Sequence, residues 1–152
     1  TLTGSFVPTS SIYYNSTYNT LTVTSSDTVS IWLDGSAGTT YESTVTTIDA
    51  SASTGKDILA GNTNSNLLIA GSGSASLWGG SGAVSDTLQG GSGTDTFFYG
   101  SGDGIDTITD YSAATDTIDF YTGSISSVSV SGSDILLGSS SGSLTIKEPP
   151  TD

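Results

Sequence analysis

Asp86, Asp95 and Asp106 each stand two residues before an apolar side chain (Leu88, Phe97 and Ile108), and each closes a glycine-rich turn. The turns read Gly79-Gly80-Ser81-Gly82, Gly90-Gly91-Ser92-Gly93 and Gly100-Ser101-Gly102-Asp103-Gly104. Carboxylates beside glycine backbone point to one chemistry above others, the binding of a hard cation through oxygen. Glycine permits positive φ in a tight turn and lets carbonyl groups approach an ion closely. Calcium takes about six to eight such oxygens, from carboxylates and carbonyls alike. A solitary turn Asp more often bonds only its own backbone, which is the reading for Asp34 and Asp134.

The elements that must position these residues are short strands. From Ala60 onward the chain divides into units that open on a small-Gly pair, turn, and close on a polar residue followed by a brief apolar run. Leu68, Leu77, Leu88, Phe97 and Ile108 recur nine to eleven residues apart as the inward positions. In a strand, one apolar side chain points inward while its neighbours point outward. Each unit supplies one strand and one turn, so two units complete a coil and every second turn stacks on the same side. Asn66, Asp86 and Asp106 then share one side, and Asp57, Ala75 and Asp95 the other. Trp78 and Phe98 each follow an inward residue, which predicts an outward aromatic pair on one sheet.

The units resemble the calcium-binding nonapeptide G-G-x-G-x-D-x-U-x of RTX (haemolysin-type) proteins, a known β-helix repeat. The likeness covers roughly residues 57 to 147 and is densest from Gly90 to Phe120. It implies an all-β fold, a parallel β-roll or β-solenoid with calcium in its Gly/Asp turns, capped at both ends. It further implies the C-terminal region of a bacterial protein exported by type I secretion machinery. On this pattern the best calcium site lies between the Asp86 and Asp106 turns, with carbonyls of Gly80 and Gly82 and with Asp103 as a further ligand. A second site at Asp95, with Gly91 and Gly93, faces Ala75 in place of an acid. Asp57 and Asn66 head the two columns as early ligands. Asn66 and Ala75 depart from the family's Asp and weaken the early turns.

Residues 1–50 alternate as strands do, in Leu21-Thr22-Val23, Val29 to Leu33 and Val45 to Ile48. They are expected to form an N-terminal β cap or irregular coils, before the roll at 51–111 and a C-terminal β cap at 112–148. Solenoid ends need covers because the last coil exposes its core and its edge. Pro149-Pro150 ends the fold. Tyr13, Tyr14, Tyr18, Trp32 and Trp78 are read as packing of cap on roll rather than as a sugar-stacking platform. Asn15-Ser16-Thr17 matches a glycan acceptor and is read as an ordinary turn.

Composition narrows the function. Fifteen acids, all Asp except Glu42 and Glu148, face only Lys56 and Lys147, for a net charge of -13. Nothing basic is available to neutralise phosphates, which excludes nucleic acid and an anionic membrane surface. No apolar stretch approaches the length of a membrane-spanning helix, and no N-terminal apolar signal region is visible. The absence of Cys and His removes disulfides, thiolate or imidazole metal sites and His-dependent catalysis. A small extracellular domain without disulfides needs another staple, and calcium is the expected one. The leading expectation is therefore a secreted, non-enzymatic module that folds on extracellular calcium and supports secretion of a parent protein. The alternative is a structural subunit of a surface layer, adhesin or filament, self-associating or assembling at the cell surface. An enzyme acting by carboxylates alone is the third reading, and no paired-carboxylate arrangement beyond the turns supports it.

Overall fold

The computed structural model describes residues 12–15, 20–23, 30–32 and 44–147, for residues 12–15 and Trp32 as backbone only. Asp34, the Ser16-Thr17 end of the glycan pattern, Tyr18, Pro149-Pro150 and the side chains of Tyr13, Tyr14 and Trp32 lie outside this description. The described chain is all-β. Its strands are β1 (Ile12–Asn15), β2 (Thr20–Val23), β3 (Ser30–Trp32), β4 (Thr47–Asp49), β5 (Asp57–Ala60), β6 (Leu67–Ile69) and β7 (Ala75–Trp78). Then follow β8 (Thr87–Gln89), β9 (Thr96–Gly100), β10 (Ile105–Ile108), β11 (Thr117–Thr122), β12 (Ser127–Ser131), β13 (Asp134–Ser139) and β14 (Gly142–Ile146).

From β2 to β11, successive strands go to alternate sheets. One sheet runs β1-β2-β4-β6-β8-β10-β14-β13-β12, the other β11-β9-β7-β5-β3. Neighbours two strands apart in sequence pair in parallel, with Leu68 beside Leu88 and Leu88 beside Ile108 in the first sheet. Leu59, Leu77 and Phe97 align in the second. Three- and four-residue strands suffice because each buries one to three side chains and the turn supplies the rest of the coil. The core is the ladder of inward residues, in which Leu68, Leu77, Leu88, Phe97 and Ile108 are all buried. Leu21, Ile48, Leu59, Leu144 and Ile146 extend it in both directions.

The N-terminal strands β2 and β3 continue the same stacking. They pair in parallel with β4 and β5, and only β1 turns back antiparallel. At the other end β14 joins β10 in parallel, with Leu144 beside Asp106 and Ile146 beside Ile108. β13 and β12 then fold outward from it as an antiparallel meander. Gly123 and Gly132, at φ 79° and 66°, make the turns that open and close β12. This C-terminal segment widens the first sheet and leaves β12 as an exposed edge.

Candidate metal centre

Asp86, Asp95 and Asp106 are buried, and one oxygen of each serves the coil before it. Asp86 Oδ1 accepts from the Asn66 amide at 2.7 Å, and Asp106 Oδ1 accepts from the Asp86 amide at 3.0 Å. On the opposite side Asp95 Oδ1 accepts from the Ala75 amide at 2.7 Å, and Asp116 Oδ1 from the Asp95 amide at 3.2 Å. Each column is thus a carboxylate ladder in which one oxygen closes the backbone of the neighbouring turn. Asn66 keeps its place, with its Oδ1 accepting from Asn62 N and its Nδ2 donating to the Val45 carbonyl. Asp57 accepts from Ser53 Oγ at 2.7 Å and from Gly71 N at 3.4 Å.

The second oxygen is the informative one. Asp86 Oδ2 and Asp95 Oδ2 are buried and have no hydrogen-bond partner. Both residues are 1% exposed. A buried unpaired carboxylate oxygen is costly unless a cation or a proton meets it. Burial accordingly pushes the Asp86 carboxyl up to about 6, against the lowering effect of its bond from Asn66 and with the charge of Asp103 adding to the rise. Burial likewise raises Asp95 to about 6, with Asp116, Asp110 and Asp57 as like-charged neighbours. Asp106 rises furthest, to about 8, through burial and then the charges of Asp86 and Asp103.

The turns pack closely enough that only glycine fits. Gly80 and Gly91 have φ of 116° and 90°. A Cβ on Gly91 would strike the Gly71 carbonyl oxygen, and one on Gly93 the Gly73 carbonyl oxygen. One on Gly80 would strike the Asn62 carbonyl. Gly82, at φ 141°, lies more openly, and its amide donates to the Gly102 carbonyl. The unpartnered oxygens of Asp86 and Asp95 lie against Gly79 and Gly90, where an added Cβ would meet them. Carboxylate and carbonyl oxygens are the donor types that a hard cation uses. Among the described residues, no group of three or more acids is close enough to hold a metal by side chains alone. A cation at these turns must therefore draw on backbone carbonyls, and the donor set suits calcium better than zinc.

Asp103 is differently engaged. Both of its oxygens accept from Tyr121 Oη, at 2.7 and 2.8 Å, and Oδ2 also accepts from Trp78 Nε1 at 3.1 Å and Gly100 N at 2.8 Å. It is buried beneath an aromatic group rather than turned to a free position. Trp78 and Phe98 do lie side by side in register on the second sheet. Tyr121, from β11, meets Trp78 edge-on with ring centroids 6.2 Å apart. Together they border an open apolar groove of about 390 Å³ that reaches Ile58 and Ala60.

Two further carboxylates belong to the ladders. Asp110 accepts from Gly90 N and Gly91 N at 2.9 and 2.8 Å, and Asp116 accepts from Asp95 N and Ser112 N. The signal for Asp116 was present in the sequence, since it stands two residues before Ile118 as Asp95 stands before Phe97. Asp110 follows its inward residue and has no such signal. Among the described residues no helix is long and apolar enough to cross a membrane. Comparison with protein-family models and with curated proteins gives no match to this chain, so its assignment rests on its own geometry.

Proposed function

We propose that the chain is a calcium-binding β-roll module of the RTX kind, a binding and folding element rather than an enzyme. Its setting is extracellular, where it steadies a parent protein exported by type I secretion. The observation that carries this reading is the pair of buried, unpartnered oxygens, Asp86 Oδ2 and Asp95 Oδ2, set in glycine turns. The hydrogen bonds that Asp86, Asp95 and Asp106 accept from neighbouring coils come from neutral backbone amides. Asp86 and Asp106 also lie close enough to share a proton, which raises Asp106 and lowers Asp86, and calcium is the cation that on this reading displaces it.

Bound calcium would supply positive charge and fill coordination positions between stacked turns. Asp86 and Asp106 are the central ligands proposed on one side, with the carbonyls of Gly80 and Gly82. Asp95 is the ligand on the other, with Gly91 and Gly93. Asp57 and Asn66 are peripheral, because their side-chain oxygens are already hydrogen-bonded within the early coils. Asp103 holds Trp78 and Tyr121 and contributes its field to Asp86 and Asp106. For weak sites of about 10⁻⁴ M, a roughly ten-fold excess of calcium stabilises by about 1.4 kcal/mol per site. Several sites together decide whether the folded form prevails, because binding free energy becomes folding free energy.

Isothermal titration of the EDTA-treated chain with calcium, and separately with magnesium, tests the proposal. Saturable calcium binding in the micromolar to millimolar range, with much weaker magnesium binding, is expected. No calcium heat and no calcium-dependent change in the melting transition up to 10 mM would refute it.

A further inference from the structure

We propose that β12 is a self-association edge, through which two copies pair antiparallel about a two-fold axis at Ser129. All five residues of Ser127–Ser131 are exposed, although they form a regular strand bonded to β13 along its full length. Val128 and Val130 are 63% and 70% exposed, the two largest exposures among the large apolar side chains of the described residues. They continue a buried face. Leu144 and Ile146 pair with Leu137 and Ile135, and these pair in turn with Val128 and Val130. The apolar row thus runs out of the core and stops at an open edge.

Sheet edges are commonly blocked by Lys, Pro, a bulge or an inward charge. None of these guards β12. No acidic or basic residue and no proline occurs from Phe120 to Ser133, a long neutral stretch in a chain of net charge -13. Two copies repel each other over most of their surface, and this edge is where they meet at least electrostatic cost. The strand is also self-complementary. Ser127-Val128-Ser129-Val130-Ser131 reads the same in both directions, so a two-fold axis sets Val128 against Val130 of the second copy and Ser129 against its own equivalent. The apolar row then crosses the axis without a break, and serines face serines on the other side. A five-residue edge is only about 17 Å long. It covers less than about 1,000 Å² in total, which places the dimer in the weak, concentration-dependent class.

The pairing needs only the folded chain, whether or not calcium is what folds it, so the test is run in saturating calcium after circular dichroism has verified the fold. Sedimentation at about 0.15 M salt, where charge repulsion is screened beyond roughly 8 Å, should show the mass rising from 15.2 kDa toward that of a dimer as concentration increases. Ser129→Glu sets like charges directly opposite each other and should hold the chain monomeric with an unchanged melting transition. The chain has no cysteine, so a single introduced thiol reports the register cleanly. Under mild oxidation Ser129→Cys should form a disulfide dimer at least about ten times faster than Ser127→Cys, because residue 127 faces residue 131 across the axis. A monomer at all concentrations, association unaffected by Ser129→Glu, growth beyond a dimer, or equal crosslinking at 127 and 129 would each overturn the proposal.

Discussion

Asp86 and Asp106 carry two duties that a conservative substitution separates. One oxygen of each closes the backbone of the neighbouring turn, at Asn66 N and Asp86 N, while on the proposed function the carboxylate charge is what calcium would neutralise. Asp86→Asn and Asp106→Asn retain an acceptor for the amide and delete the charge. Each should weaken calcium binding at least about ten-fold by titration calorimetry, whereas Asp134→Asn should leave it unchanged. Without calcium the same two substitutions should stabilise the fold, by about 1 kcal/mol, since a buried charge without a partner has been removed. The pH dependence has the matching sign. Burial raises all three carboxyls in the folded chain, to about 6 for Asp86 and Asp95 and about 8 for Asp106. The folded state therefore binds protons more tightly than the unfolded one, and its extra stability is complete below pH 4 and is lost as pH rises through 6 and then 8. Calcium-free thermal melts should accordingly move upward from pH 8 to pH 5, and saturating calcium should flatten that trend.

Strands of three or four residues hold together here because each is fixed by its coil neighbours and by a turn that admits only glycine. The aromatic group at β7, β9 and β11 adds a second tie. Trp78 packs against Tyr121 and donates to Asp103, which also takes Tyr121 Oη. Changing Trp78 and Phe98 together to Ser should cost about 2 to 4 kcal/mol in denaturant unfolding, and Tyr121→Phe about 1 kcal/mol, from the lost donor to a buried carboxylate. The inward residues Leu68, Leu77, Leu88, Phe97 and Ile108 were legible from spacing alone, as was the alignment of Asn66, Asp86 and Asp106, because period-two strands on a fixed repeat leave little freedom. The partner of Asp103 was not legible. Tyr121 lies eighteen residues further along, and nothing in the sequence indicates that β11 carries it back over Trp78. The sequence reads residues 116–147 as short strands broken at Gly123, Gly132 and Gly138 to Gly142. The first two are turns, whereas Gly138 lies within β13 and Gly142 begins β14, and the extension of one sheet was not legible. That outcome depends on β14 pairing in parallel with β10, a long-range choice made by Leu144 and Ile146 entering the core beside Asp106 and Ile108.

Across the whole molecule, two columns of carboxylates flank one apolar ladder in a chain with two lysines. On the proposed function the columns are a liability when the charges are bare and a staple once calcium neutralises them. That asymmetry is what a module needs if it is to stay unfolded in a calcium-poor compartment and fold in a calcium-rich one. The early coils carry Asn66 and Ala75 in place of acids, and their bonds to Val45, Asn62 and Asp95 are made within the chain. These coils should therefore depend on the ion less than the coils from Gly79 onward. The most direct measurement is thermal unfolding by circular dichroism at pH 7.5, first in excess EGTA with metal removal verified by elemental analysis, then across a calcium titration to 10 mM. We predict loss or marked lowering of the β transition in EGTA, its recovery with calcium, and protection from hydrogen exchange returning first between Gly79 and Asp116. A melting temperature identical in EGTA and in calcium, with the same exchange protection along the chain, would contradict the account.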